Sequence, residues 1–460
     1  MAIFPPLTIA REALLAHQRS LQVTGHNIAN VDTPGYSRQR AVLRAVPPAG
    51  SDIGSGVRMV GLDRIVDRFI EQRRLGSASD FGAAATTRDL LARLEGYFPV
   101  NEGGVGTALQ EFFAAANTLA TNPESQAVRA DLLAAGESLA LQVRGAADAI
   151  STLQREVDQR LGQEVQDTNA VLQRIASLNR EVVAANAAGA STSDLRDARQ
   201  EALRELAGTI EINVVEQGDG SVSVFAGVGT ALVLGTTPAV LAVRPDGALG
   251  LDGTPLSRVG LGGDTGSFIQ LAGTLGGTLG ALLTLRDQTL VDNGADLDLF
   301  ATTLRDAVNA VQTDAAGRDL DGLVGAAFFG GTGAGDLTVA LADARGIAAA
   351  QSANPGDNAN ALALVAIQHQ ALPALAGQTL EDYFGSFHAS IGAQARSAND
   401  QAVIHHEVDA LLEAQRDGVS GVSLEEEFTD LIRVQRAFQA AAQLISVANT
   451  MLDDLLGVVR

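Results

Sequence analysis

The sequence predicts a mainly α protein with a β-rich insert. We expect an elongated, discontinuous helical stem, coiled-coil-like helices at the N- and C-termini, and a small β domain looped out of the middle. Three observations predict this fold class. Apolar residues repeat every seven positions near both termini, they follow three-and-four spacing over long segments, and a glycine-rich middle alternates apolar with polar residues.

The C-terminal repeat is the stronger of the two. Its a and d positions are apolar over four heptads, which is typical of a helix packed against other helices. Ser423 and Glu426 have the S-x-x-E spacing of a capping box, so we expect a helix over 424–459. With a helix over 380–416, it is predicted to form an antiparallel hairpin. The a positions are Leu431, Phe438, Ile445, Leu452 and Val459, and the d positions are Val434, Ala441, Ala448 and Leu455.

The N-terminal repeat is weaker and predicts a helix over 7–31. Thr33 precedes a proline, which disfavours helix, and Pro34 and Gly35 fit the central positions of a type II turn. Residues 36–43 then read as extended. A monomer has little obvious means of burying either seam, so we expect both ends to be labile until the protein assembles. The repeat consists of Leu7, Leu14, Leu21 and Ile28, with Ala10, His17, Thr24 and Val31 between them.

Between the ends, the sequence pattern changes twice, from helical spacing to alternation and back. Residues 62–206 read as helix, with Ile65 and Phe69 in a first apolar group and Pro123 at the first position of a later helix. Alternation and glycine turns predict strands from 210 to about 280, and helix returns over 282–311.

We therefore divide the chain into an N-terminal helix and turn region (1–60, paired with 417–460), the first part of the stem (61–208), a β-rich insert (209–281), the returning stem with a glycine-rich loop at 313–355 (282–416), and the C-terminal helix (417–460).

Composition excludes several classes of function. The 460 residues carry 32 basic and 54 acidic side chains, a net charge of −22, which argues against nucleic acid as a partner. The sequence contains neither lysine nor cysteine, which excludes a P-loop lysine, a lysine Schiff base, a disulfide and a zinc–thiolate site. The uncharged stretch 222–243 is rich in glycine and turns, so it predicts strands and no membrane insertion.

No group of residues predicts catalysis, a cofactor or a metal site. His405 and His406 are adjacent and would point about 100° apart on a helix. The run from Asp319 to Gly322 has part of a calcium-loop pattern, and the glycines of 330–335 have part of a phosphate-loop pattern, but neither has the required context. We expect turns in both places and predict that the protein is not an enzyme.

Two terminal segments resemble those of a known family. Residues 20–39, SLQVTGHNIANVDTPGYSRQ, closely resemble the N-terminal motif of flagellar rod, hook and hook-associated proteins, and 420–456 resemble their C-terminal motif. Three internal segments, 175–208, 285–312 and 355–368, resemble the hook-associated protein 1 family of the hook–filament junction. The sequence departs from that family at Gln200, where aspartate is expected, and in the small size of the insert.

The resemblance implies a structural subunit that assembles at the hook tip and joins hook to filament after export through the flagellar type III secretion channel. The implied location is secreted, at the extracellular junction. The implied partners are copies of itself in a ring or open helical array, the hook protein, a second hook–filament junction protein, and a cytosolic export chaperone on the C-terminal helix. A hook or distal-rod subunit is the alternative, and a secreted adhesin or enzyme using the glycine-rich insert is a third hypothesis.

The resemblance and the two repeats together define a predicted assembly interface. It comprises Leu7, Leu14, Leu21, Ile28, Asn30, Pro34, Gly35, Tyr36, Leu431, Val434, Phe438, Ala441, Ile445, Ala448, Leu452 and Leu455.

Overall fold

The computed structural model describes residues 5–47, 54–98, 103–227, 229–245, 247–262, 268–271 and 275–458. Within these ranges the chain forms mostly helix. In chain order the α-helices are α1 (Pro5–Ala29), α2 (Arg68–Gly96), α3 (Val105–Thr121), α4 (Gln126–Ala187), α5 (Ser193–Thr209), α6 (Gly277–Thr284), α7 (Leu290–Gln312), α8 (Ala359–Ala366), α9 (Leu380–Ser420) and α10 (Leu424–Val458).

The strands form four small antiparallel sheets. Two are hairpins, β1–β2 near the N-terminus and β10–β11 in the returning stem, and the other two make the insert, with strand orders β3-β4-β5-β6 and β7-β8-β9. The strands are β1 (Gln39–Ala45), β2 (Val57–Arg64), β3 (Ile212–Glu216), β4 (Val222–Ala226), β5 (Thr230–Leu234), β6 (Thr237–Pro238), β7 (Leu241–Arg244), β8 (Arg258–Leu261), β9 (Ile269–Gln270), β10 (Phe329–Gly330) and β11 (Thr338–Val339).

Helix α4 is the backbone of the stem. Its 62 residues extend about 90 Å at 1.5 Å per residue, which makes the molecule elongated. Its buried face carries an apolar residue at nearly every turn and packs against α3, α5 and α7. Beside it, the ring of Phe112 contacts those of Phe113, Phe328 and Phe329, and all four side chains are fully buried.

Both sheets of the insert are fastened to α4 by amide side chains. The Asn179 amide nitrogen donates to the Val222 carbonyl at 2.8 Å, and the Asn169 amide nitrogen donates to the Leu241 carbonyl at 2.8 Å. Gln154 of α4 donates to the carbonyl of Arg286, in the π-helical turn that joins α6 to α7. The insert is therefore attached along the side of the stem.

Two further helix pairs complete the architecture. Helix α2 packs along α9 and continues the stem, while α1 packs along α10, with the β1–β2 hairpin beside α1. We call α1 and α10 the terminal pair. Helices α2 and α5 approach very closely where they cross, because a Cβ on Gly82 would lie 2.1 Å from the Gly208 carbonyl oxygen.

The predicted fold class is confirmed, but the predicted antiparallel hairpin of the last two helices is wrong. Helix α9 packs on α2 and α10 packs on α1, so the two do not lie along each other. The break between them is short, since α9 continues to Ser420 and α10 begins at Leu424. Instead of reversing there, the chain passes from the stem into the terminal pair, because Glu427 at the start of α10 bonds to Asn27 and Arg38.

Three local predictions are also wrong. Pro123 precedes α4, which begins at Gln126 because the Ser125 hydroxyl caps it by accepting from the Val128 amide. Phe69 is 80% exposed, since it lies in the first turn of α2 beside the Asp67 cap and not in the core. The chain over 57–64 is strand β2 and not helix, so the hairpin crosses the boundary that we set between 60 and 61. The five-segment division itself stays a prediction.

Candidate assembly interface

The terminal pair is held by one buried stripe on α10. The stripe repeats every seven residues and consists of Glu427, Val434, Ala441 and Ala448. The last three are the predicted d positions. The predicted a positions Leu431, Phe438, Ile445 and Leu452 lie beside the stripe and are half-buried, whereas the side chain of Leu455 and all of Val459 lie outside the described residues.

On α1 the buried stripe is made of small and polar side chains. Its members are Ala10, Ala16, Ser20, Thr24 and Asn27. The predicted Leu7, Leu14, Leu21 and Ile28 are only half-buried, at the margins of the contact. Small side chains let the two helix backbones approach, so the leucines flank the seam instead of filling it. The expectation that a monomer has little means of burying the seams is corrected: each seam packs on the other.

A polar joint closes the pair at one end. We define it as Asn27, Tyr36, Arg38 and Glu427. Asn27 is 1% exposed, and its amide nitrogen donates to the Gln39 carbonyl at 2.9 Å and to the Glu427 carboxylate at 3.1 Å. Its amide oxygen accepts from the Tyr36 hydroxyl at 2.7 Å and from the Gln39 amide at 3.0 Å. One side chain thereby ties α1 to the following turn, to β1 and to α10.

The charge of Glu427 is balanced within the joint. The Arg38 guanidinium donates to Glu427 through Nε at 2.6 Å and also pairs with Glu426. Burial opposes the charge on Arg38, but the hydrogen bonds that it donates to these two carboxylates outweigh burial and raise the arginine pKa. A buried carboxylate is tolerated only when it is paired and hydrogen-bonded, and this one has both partners.

The turn after α1 adopts the predicted geometry. The Tyr36 amide donates to the Thr33 carbonyl at 3.2 Å, and Gly35 has a φ of +76°, which glycine adopts without strain. Asn30 reaches back to the His26 carbonyl at 2.9 Å. Burial raises the pKa of the Tyr36 phenol, whose hydroxyl lies 3.0 Å from Nδ1 of His26.

The joint is also bound to the stem. Arg416 of α9 donates to the carbonyls of Gly35 and Tyr36 at 2.7 and 2.6 Å. Asp197 of α5 accepts from the Ser37 amide at 3.1 Å and pairs with Arg64 of β2 at 2.5 Å. Burial raises the pKa of Asp197 even though Arg64 acts in the opposite direction. The terminal pair is therefore fixed to the stem at the joint, where α1 ends and α10 begins.

Sequence reasoning identified the turn residues but missed the side chains that organise them: Asn27, Arg38, Asp197, Arg416 and Glu427. The signal for Glu427 is present in the sequence, because it lies seven residues before Val434 and therefore falls on a buried position of the repeat. A carboxylate there requires a cation. The partner Arg38 is 389 residues away, and no spacing rule connects the two.

A second set of apolar side chains on α10 faces solvent, in two patches on different flanks of the helix. Leu424, Phe428 and Ile432 lie near its start, where Ile432 is 49% exposed, and Leu444, Val447 and Met451 lie near its end. We call the two patches together the outer stripe. None of these residues belongs to the predicted interface. With the inner stripe packed on α1, the outer stripe is the apolar surface that the terminal pair presents to another molecule.

The weak chemical motifs of the sequence form closed turns. Asp319 accepts from the backbone amides of Asp321 and Leu323 at 2.9 and 2.8 Å. In the glycine run, Asp336 accepts from the amides of Thr332 and Gly333 at 2.7 and 2.8 Å, and these backbone bonds lower its pKa. The protein's own carboxylate thus occupies the place where a phosphate would bind.

Neither a metal site nor a membrane span is found in the part of the chain that the structure describes. No three histidine or acidic side chains there are placed to hold an ion. No helix there is both long enough and apolar enough to cross a bilayer.

Family models match the two ends and the middle of the chain. Residues 91–329, more than half of the chain, match the flagellar hook-associated protein FlgK helical domain. Residues 7–36 match a family described as flagella basal body rod protein, and 417–458 match the flagellar basal body rod FlgEFG protein C-terminal family.

Individual proteins are similar over nearly the whole length. The chain is 26% identical to the flagellar hook-associated protein 1 of Bacillus subtilis, with 98% of each chain covered. It is 25% identical to the protein of that name in Salmonella typhimurium, covering 98% of this chain and 99% of the relative. The solved flagellar hook junction protein FlgK from Burkholderia pseudomallei shares the fold, with a TM-score of 0.68 at 16% identity over 76% of this chain and 100% of that one.

Proposed function

We propose, for a chain that belongs to the flagellar hook-associated protein FlgK family, the role of a structural subunit that joins the flagellar hook to the filament. Membership is shown by the FlgK helical-domain match over more than half of the chain, and it confirms the resemblance found in the sequence. The same match disfavours a hook or distal-rod subunit, since those proteins' families account only for 7–36 and 417–458.

One structural observation carries the proposal. The terminal pair brings the two ends of the chain into one rod, closed by the joint and carrying the outer stripe on its solvent side. Such a rod presents an apolar helix face without itself unfolding. Packing it against copies of itself buries that face, and heterologous packing of this kind builds rings or open helical arrays.

The role includes an export route, a location and partners. We infer that the subunit is secreted through the flagellar type III channel, acts outside the cell at the hook tip, and contacts the hook protein on one side and a second hook–filament junction protein on the other. A cytosolic export chaperone would hold α10 before export, where the outer stripe supplies an apolar helix face. We propose no catalytic activity.

The test is to place charge on the outer stripe. The double variant Ile432→Asp and Val447→Asp should fold as a monomer, because both side chains are about half exposed in the monomer. In a strain whose own gene is deleted, it should be exported but not restore filaments, so hooks remain bare and flagellin is shed into the medium.

Gln439→Asp is the matched control, since it places the same charge at an exposed position of α10, one heptad after Ile432, but removes no apolar side chain. Swimming by the double variant would show that the stripe is not an assembly surface. If deletion of the gene itself leaves hook–filament joining intact, the proposed function is wrong.

A further inference from the structure

A cleft of about 380 Å³ lies where the hairpin, α2, α5 and the insert meet. Its walls come from the end of β2 and the start of α2 on one side, from α5 on another, and from β3 on the third. Its floor is apolar and buried, made by Leu75, Leu203, Ile212 and Val222. The cleft therefore offers an apolar base under a polar rim.

The rim concentrates positive charge in a strongly acidic protein. Four arginines line the cleft, Arg64, Arg68, Arg196 and Arg199, against two glutamates, Glu71 and Glu216. The chain as a whole carries −22. Because the net charge of the chain is negative, a local excess of arginine marks a place suited to an incoming carboxylate.

Arg64 has a counter-ion in Asp197 at 2.5 Å, but the other arginines of the rim are incompletely neutralised by their neighbours. Buried Arg199 donates to the Asn179 side-chain oxygen at 2.9 Å and to the Gly220 carbonyl at 2.8 Å, both uncharged. Burial lowers its pKa to about 10, as expected for a cation that lacks a close counter-ion. Within the described part of the chain, the buried Nε atoms of Arg64 and Arg196 have no hydrogen-bond partner.

The two glutamates of the rim are already shared. Glu71 pairs with Arg74 of its own helix at 3.2 Å, and Glu216 serves both Arg196 at 3.0 Å and Arg68 at 3.4 Å. Arg68 is the most exposed arginine of the rim, with 86% of its side chain accessible, and it shares its only ion pair among the described residues with Arg196. Its guanidinium can therefore also meet a carboxylate from outside.

We propose that this cleft receives the end of α10 from a neighbouring copy of the chain, with Asp453 and Asp454 paired to the rim arginines and the adjoining apolar segment over the floor. The inference rests on the proposed function and names one contact within the array. Asp453 and Asp454 are exposed, and neither forms an ion pair with any described residue. In sequence they are followed by two leucines, which suits an apolar base.

Geometry requires the second copy. The cleft lies next to the joint, because Arg64 pairs with Asp197, which accepts from the Ser37 amide beside Arg38 and Glu427. Along α10, Asp453 comes 26 residues after Glu427, about 40 Å away at 1.5 Å per residue. The end of α10 therefore cannot reach the cleft of its own chain, and the contact must be head to tail, which propagates.

Cysteine cross-linking tests the contact directly, because the natural chain contains no cysteine. The double variant Arg68→Cys and Asp454→Cys, expressed in place of the wild-type protein, is treated with a short bismaleimide on isolated flagella. We expect a ladder of covalent oligomers. Arg88→Cys with Asp454→Cys is the control, since Arg88 is an exposed arginine outside the cleft, and it should give no ladder. The contact is wrong if the Arg68→Cys and Asp454→Cys variant gives no ladder, or if both double variants give equally strong ladders.

Charge reversal gives a second readout. Arg68→Glu with Arg196→Glu, and separately Asp453→Arg with Asp454→Arg, should each lower the number of filaments per cell about tenfold. Combining all four changes should restore filaments, because the attraction is re-formed with the signs exchanged. Purified variants are first checked for wild-type circular dichroism. A combined variant no better than the worse double variant rejects this inference, while wild-type complementation in the same strain shows that the proposed function still holds.

Discussion

The stem and the terminal pair are both built from long helices, yet they are held together in different ways. Along α4 the stem buries large side chains, with Phe112 fully enclosed by other aromatic rings. The terminal pair buries alanine, serine, threonine, one valine (Val434) and one polar joint. Since apolar burial stabilises by about 25 cal/mol per Å², the stem holds most of the folding free energy. The terminal pair is instead a specific contact that keeps apolar surface available outside.

This difference separates folding from assembly. Apolar side chains that the terminal pair does not bury internally remain on its outer stripe, where copies can share them. The stem can therefore stay folded while the terminal pair is remodelled. Four substitutions test this division, in order of decreasing expected effect.

Phe112→Ala should weaken the whole molecule. Removing a fully buried ring that contacts three others should lower the free energy of unfolding by about 3–5 kcal/mol. Urea unfolding followed by circular dichroism measures the loss. Phe69→Ala is the control and should change stability little, because Phe69 is largely exposed. Equal losses in the two variants would contradict the picture of an aromatic core.

Phe438→Asp should open the terminal pair and spare the stem. The half-buried ring lies beside the α1–α10 seam, so the change should lose about 1–2 kcal/mol of apolar burial and place a carboxylate at the edge of that seam. Hydrogen exchange should rise in α1 and α10 and stay unchanged in α3 and α4. Exchange that rises equally along the stem would show that the two regions unfold as one unit.

Asn27→Ala should loosen the joint alone. It removes four hydrogen bonds and leaves the Glu427 carboxylate with fewer donors, at about 1–3 kcal/mol for the buried groups left unsatisfied. Exchange should rise first around residues 36–39 and at the start of α10. Asn30→Ala is the matched control, because its side chain bonds only locally and is more exposed. Unchanged hydrogen exchange in Asn27→Ala would show that the joint does not hold the terminal pair closed.

Glu164→Gln should give the smallest effect, and of the opposite sign. Burial and the neighbouring Asp167 raise the pKa of this α4 carboxylate, against the effect of Arg160. A raised pKa in the folded state means that stability from this group falls as pH rises through the folded pKa. Glutamine removes that loss, so the variant should melt slightly higher than wild type at pH 7, with the difference vanishing below the ordinary glutamate pKa near 4.3. A melting temperature that drops at pH 7 would contradict this sign.

The regular parts of the fold were predictable from sequence. Three-and-four spacing from Leu153 to Val182 identified the middle of α4, and alternation identified β3 and β4. The seven-residue repeat of α10 correctly placed Val434, Ala441 and Ala448 on the inner face. Periodicity works there because one face of each element is buried along its whole length.

The remaining features depend on contacts that no local pattern encodes. Strand β2 carries arginine and aspartate among its apolar residues, so its pairing with β1, and not its own pattern, makes it a strand. Asn27 and Arg38, from the other end of the chain, fix the start of α10 against α1. Because no pattern near α10 indicates these partners, the sequence favours the neighbouring helix α9 instead. Likewise the cleft gathers Arg64, Arg68 and Arg196 from two separate segments.

The joint has a consequence for how the chain is made. Asn27 bonds to Glu427, a residue 400 positions later in the chain, so the pair forms only after nearly the whole polypeptide is present. Contacts of such long range close late, after the local helices have formed. A product broken off before Glu427 leaves Asn27 and Arg38 without their counterpart and α1 without a partner helix. The joint therefore forms only in copies that extend at least through α10, and only those copies have a closed terminal pair with which to assemble.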